Sequence, residues 1–97
     1  MNYLKALQDW YKSNCDGDWE HCYGIKIDTL DNPGWAVEIN LVDTKWENKD
    51  FQYVQIQRKY EDDWIHCKVE SNVFYGCGGP DNLEEILRIF YEWSLNL

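Results

Sequence analysis

The chain has 97 residues, 44% hydrophobic and 16% aromatic, enough for one domain spanning 1–97 with a single core and too apolar for a disordered chain. Its 18 acidic residues against 9 basic ones leave a net charge of -9, which argues against nucleic acid as a partner and permits attraction to a basic one. No apolar run approaches the roughly 18 residues of a membrane span, so no membrane partner is expected.

Asn2 to Asn14 sets Leu4, Leu7, Trp10 and Tyr11 at helical spacing, and "NCDGD" (Asn14 to Asp18) ends that helix with turn-formers. Four strand-like runs follow. Tyr23, Ile25 and Ile27 alternate with polar neighbours. "DNPG", Asp31 to Gly34, predicts a type II turn, Pro33 presetting φ and Gly34 taking the positive φ. Trp35, Val37, Ile39 and Leu41 form the second run, Val54 and Ile56 the third, and Ile65, Cys67 and Val69 the fourth, with "ENKD" and the charged tip "EDD" as turns between them. "GCGGP", Gly76 to Pro80, breaks the chain. Asp81 with Glu84 then fits a capping box, and Leu83, Ile86, Leu87, Phe90 and Trp93 stripe a second helix.

The expected fold is α+β in two layers: a four-stranded antiparallel meander with N-terminal and C-terminal helices packed on one face. The apolar positions of the four runs line that face. The other face, with Lys26, Glu38, Tyr53, Trp64, His66 and Glu70, is mixed and open to water or a partner.

Three chemistries are tested by residue type and spacing. His21-Cys22 and His66-Cys67, with Cys15 and Cys77, offer metal-binding atoms, but neighbours on a strand point to opposite faces and no C-x-x-C or H-x-x-x-H spacing is present, so no metal or cofactor is expected. Cys77 sits in a Gly-rich stretch before a helix, where a thiol pKa can fall, yet Asp81, Glu84 and Glu85 would repel an anion there. Asp18, Glu20 and His21, with Asp31 near across the hairpin, could form an acid–base group, but turn stabilisation by such side chains is commoner. No catalytic residue emerges.

The start, Met1-Asn2-Tyr3-Leu4-Lys5, does not read as a signal peptide. That predicts a cytoplasmic protein whose four cysteines stay reduced. Six Trp and seven Tyr exceed the needs of one small core. Trp10, Trp35 and Trp93 fall on predicted buried faces, whereas Trp19, Trp46 and Trp64 do not. Exposed Trp among acids suits a partner that is basic and partly apolar.

"WEHCYGIKIDTLDNPGW", Trp19 to Trp35, followed by Trp64, Cys67, "FYGCGGPDNLEEIL" and a closing "FYEW", resembles the immunity protein 53 family, "TLDNPGW" being its most specific part. The resemblance implies a bacterial, non-enzymatic protein that binds and neutralises one cognate polymorphic toxin in the cytoplasm. Many toxins of such systems are nucleases with basic active sites, which an acidic inhibitor suits. Asp18, Trp19, Glu20 and Asp31 then form one candidate toxin-facing surface. The tip Glu61, Asp62 and Asp63 with Trp64 forms a second, and the sequence does not rank them. A small enzyme using Cys77 and a general peptide- or carbohydrate-binding module are the competing readings.

Overall fold

Asn2 opens the first helix, α1 (Tyr3–Asn14), its Oδ1 accepting the Lys5 N–H at 2.9 Å and so satisfying one of the orphan donors of the first turn. The structure, a computed structural model, describes residues 1–96. Of the predicted stripe on α1, Leu7 and Trp10 are buried, while Leu4 and Tyr11 are exposed. A single helical turn, α2 (Trp19–Cys22), follows and was not expected. The Asp16 carboxylate organises it by accepting the N–H groups of Asp18 and Trp19 at 2.9 and 3.0 Å.

Five strands follow: β1 (Ile25–Leu30), β2 (Gly34–Asn40), β3 (Val54–Gln57), β4 (Trp64–Glu70) and β5 (Val73–Gly78). The chain closes with α3 (Leu83–Ser94). The two-layer α+β arrangement with an antiparallel sheet and both terminal helices is as expected. The sheet, however, has five strands rather than four, ordered β1-β2-β5-β4-β3 and so not a meander. The added strand takes the centre, pairing β2 on one side and β4 on the other.

Two features hide β5 in the sequence. Ser71 and Asn72, both at positive φ (52° and 59°), make the two-residue β4–β5 turn without the Gly that usually signals it. Gly76 and Gly78 then look like chain breakers, although they lie on the helix-facing side of the strand. A Cβ on Gly76 would stand 2.5 Å from Ile86 Cγ2 and 3.1 Å from the Phe74 ring. The glycines therefore let α3 lie directly on the central strand. Trp10 of α1 meets Phe90 of α3 edge-on at 5.1 Å, and Phe90 meets Phe74 of β5 at 5.1 Å, tying both helices to the sheet.

The apolar face is the predicted one. Val37, Ile39, Ile65 and Cys67 are fully buried there, while Ile27 on the outer strand β1 is 41% exposed. Tyr23 falls before β1 and is exposed. The long β2–β3 connection crosses to the end of α3. Trp46 Nε1 donates to the Ser94 carbonyl at 2.8 Å and Lys49 Nζ to the Trp93 carbonyl at 2.9 Å, tying this connection to the C-terminal end of the helix.

Two sequence expectations are corrected. Gly34 has no positive φ, so the type II turn does not form. Gly34 is required for another reason: a Cβ there would collide with the carbonyl of Gly78 on the paired strand. The capping box also does not form. Asn82, not Asp81, is the N-cap of α3, and its side chain makes no capping bond to that helix. It turns away instead, as described below.

Candidate functional site

The strand register decides which loops share an end of the sheet. Leu30 faces Gly34, Trp35 faces Gly78, Ile65 faces Gly78 and Gln57 faces Trp64. The β1–β2 turn, the β3–β4 tip and the β5–α3 turn therefore all meet at one end. Between the first two lies an open cleft of about 520 Å³, walled by Asn32, Pro33, Tyr60, Glu61, Asp62 and Trp64. Asp31, exposed, sits one residue outside that wall. Of the first acidic candidate surface only Asp31 comes near the second: the Asp31 turn and the Glu61–Trp64 tip face each other.

The cleft is built on fixed supports. A Cβ on Gly79 would collide with the Asp62 carbonyl, so only glycine lets the β3–β4 tip close down on the β5–α3 turn. Gly79 N–H donates to the Trp64 carbonyl at 3.1 Å. Trp35 Nε1 donates to the Pro80 carbonyl at 2.9 Å, anchoring the same end from β2.

Asp63 differs from its neighbours. Its Oδ1 accepts from Asn82 Nδ2 and from Arg58, both at 3.0 Å. Arg58 also grips Glu85 with both guanidinium nitrogens. The Asn82 bond first and then Arg58 hold the Asp63 carboxyl below its ordinary range, and the Arg58 bond does the same for Glu85. Asp63 is thus spent inside the protein. Asp31, Glu61 and Asp62 are exposed, and none of their side chains makes a bond among the described residues. Half-buried Trp64 lies beside them.

The remaining sequence candidates lie elsewhere. Trp19 is 2% exposed, packed at 5.7 Å against Trp10 in the core, so it offers no surface to a partner. Trp46 likewise folds back onto Trp10, at 5.4 Å. Asp18 and Glu20 precede the start of β1, whereas the Asp31 turn follows its end. The strand separates them by about 3.3 Å per residue, so Asp31 does not join the Asp18, Glu20 and His21 group. Glu20 accepts the N–H groups of Asp16 and Gly17 at 2.9 and 2.8 Å. Backbone N–H bonds, its own foremost, hold its carboxyl below the ordinary value, the reverse of what a general acid needs.

Cys77 is not in a loop at a helix N-terminus. It lies within β5, opposite His66, on the sheet face away from the helices. Burial and then Glu38 push its thiol upward, away from the thiolate a nucleophile requires. Among the described residues, no group of three or more His, Cys, Asp or Glu side chains is placed to hold a metal ion. No described helix is long and apolar enough to cross a membrane.

The sequence matches the family model for immunity protein 53 across residues 4–95, nearly the whole chain. The chain belongs to the immunity protein 53 family. Membership carries an immunity function, with a toxin as partner, in a family that is generally non-enzymatic. No curated protein and no solved structure matches the chain.

Proposed function

We propose that this immunity protein neutralises its cognate toxin by laying the acidic, Trp64-bearing cleft on a basic patch of the toxin, without turnover and in the cytoplasm. One observation carries the reading: two acidic loops, distant in sequence, converge on one cleft with an aromatic wall. Three carboxylates free of internal partners attract Lys and Arg and speed association at low salt. Trp64 and Tyr60 add large, rigid contact area of the type that dominates interface energetics. A nuclease is the toxin class this surface suits best, because its phosphate-binding cleft is basic and this surface can occupy the place of the phosphates. Asp63 supports the tip, and Trp19 supports the core; neither is a contact in this reading. Asp18 and Glu20 belong to a different end.

The test uses the toxin domain encoded beside this gene. Titration calorimetry compares wild type with Trp64→Ala and with Glu61→Lys/Asp62→Lys, each checked for a native circular dichroism spectrum. The expected losses are at least about tenfold in affinity for each, from one anchor or two reversed charges. Asp18→Lys is expected to bind as wild type. Wild-type affinity in the cleft variants, with loss in Asp18→Lys, would move the contact to the α2 end and overturn the reading.

A further inference from the structure

The outer strand β1 has a self-complementary edge. Asn40 N–H donates to the Gly24 carbonyl at 3.0 Å, and the pairing continues with Ile25 opposite Ile39. Backbone groups alternate in direction along an antiparallel strand. Lys26, Asp28 and Leu30 therefore bond to β2, and the N–H and C=O groups of Ile25, Ile27 and Thr29 point out of the sheet. β1 is a terminal strand, so among the described residues no strand pairs with them. Thr29 N–H is taken locally by the Asp28 carboxylate, at 2.8 Å. Ile27 stays 41% exposed because α3 lies over β5, two strands away.

The charges select one way to pair this edge with itself. Two copies related by a twofold axis run antiparallel, and the residue on the axis faces its own copy. An axis at Lys26 sets two ammonium groups face to face. An axis at Asp28 sets two carboxylates face to face. An axis at Ile27 sets Lys26 of each copy against Asp28 of the other. It also places Ile27 on Ile27 and Ile25 on Thr29, the residues whose backbone groups point outward and can exchange hydrogen bonds in pairs. Opposite β3 residues carry no such code: the outer face of the other edge strand presents Gln55 and Gln57.

We infer that β1 is a homodimer interface, in which a second copy of this chain pairs edge to edge, antiparallel and centred on Ile27, to make one continuous sheet. On pairing, Thr29 N–H exchanges the Asp28 carboxylate for the Ile25 carbonyl of the second copy, and Asp28 turns to Lys26. Gly24, at φ 120°, bends the chain at one end and the Asp31 turn closes the other, so the ladder is short and the dimer concentration-dependent. It does not depend on the cleft proposed above to bind toxin.

Sedimentation equilibrium of the full chain at low salt tests this. The mass is expected to climb with concentration from 11.7 kDa toward twice that value. Lys26→Asp and Asp28→Lys each place two like-charged pairs across the axis, and each should weaken association by about tenfold or more. An equimolar mixture of the two variants restores both opposite-charge pairs and should associate like wild type, as should the double reversal Lys26→Asp/Asp28→Lys. A wild type that stays at 11.7 kDa throughout overturns the proposal. So does either single variant that associates as well as wild type, or a mixture that remains monomeric.

Discussion

Asn82 Nδ2 donates to Asp63 Oδ1 at 3.0 Å, while Asn82 Oδ1 accepts the Gly79 N–H at 3.1 Å. One buried amide thereby joins the β3–β4 tip, the β5–α3 turn and the start of α3. Asn82→Ala removes both bonds at a position 5% exposed. The expected loss is about 1–3 kcal/mol, the usual cost of stripping partners from buried polar groups. Urea unfolding measures it, and an unchanged midpoint would show that water replaces the amide without cost. The amide also positions the tip, so under the proposed cleft reading the same variant should weaken toxin binding while keeping its carboxylates.

The ion network around Arg58 predicts an acid-sensitive term in stability. The Asp63 and Glu85 carboxyls both lie below their ordinary values in the folded protein. A depressed folded pKa contributes stability that is full above the unfolded pKa, near pH 4, and is lost as pH falls through the folded value. Arg58→Met removes the shared partner. Wild type should exceed this variant in stability at pH 7, and the gap should close as pH drops below about 4. Denaturant midpoints measured across that range check the sign. A gap that persists in strong acid would show that Arg58 acts by packing its stem rather than by its charge.

Gly76→Ala tests the seat of α3. The new methyl group would stand 2.5 Å from Ile86 Cγ2 and 3.1 Å from the Phe74 ring, so one of them must move. Overpacking of this kind costs about 1–3 kcal/mol. Ile86→Ala, which removes Cγ2 and is destabilising in the wild-type background, should cost less on top of Gly76→Ala than it does alone. Strictly additive losses in the double-mutant cycle would place the strain elsewhere.

What could be read in advance followed from periodicity. The alternation through Val37, Ile39, Ile65, Cys67 and Val69 assigned the buried face, and the stripe Ile86, Leu87 and Phe90 assigned the packed side of α3. β5 escaped because its inward positions are Gly76 and Gly78, which carry no side chain to make a pattern, and because Ser71-Asn72 is a weak turn signal. That omission had a consequence at the site. Without a central strand there is no register to bring the Asp31 turn beside the Glu61–Trp64 tip, so the two looked like separate surfaces. Trp19 misled for a related reason. Flanked by Asp18 and Glu20 it reads as exposed, yet the one-turn helix α2 turns its ring inward onto Trp10 and the acids outward. A four-residue helix leaves too little sequence for the 3.6-residue period to show.

The four thiols should separate by reactivity in the native protein. Cys22 is exposed and should be alkylated first by iodoacetamide at neutral pH. Cys67 is buried, and its thiol is pushed up to about 12 by burial, with Cys77 adding to the shift. Both its access and its thiolate fraction are therefore small, and it should react last. Cys77, half-buried on the open sheet face and also shifted upward, should react more slowly than Cys22. Peptide mass spectrometry after timed labelling reads the order, and labelling in denaturant supplies the reference in which all four react alike. Fast, selective labelling of Cys77 would contradict its raised pKa and supply the nucleophile that the enzyme reading lacks. The expected order would remove the thiol version of the enzyme reading.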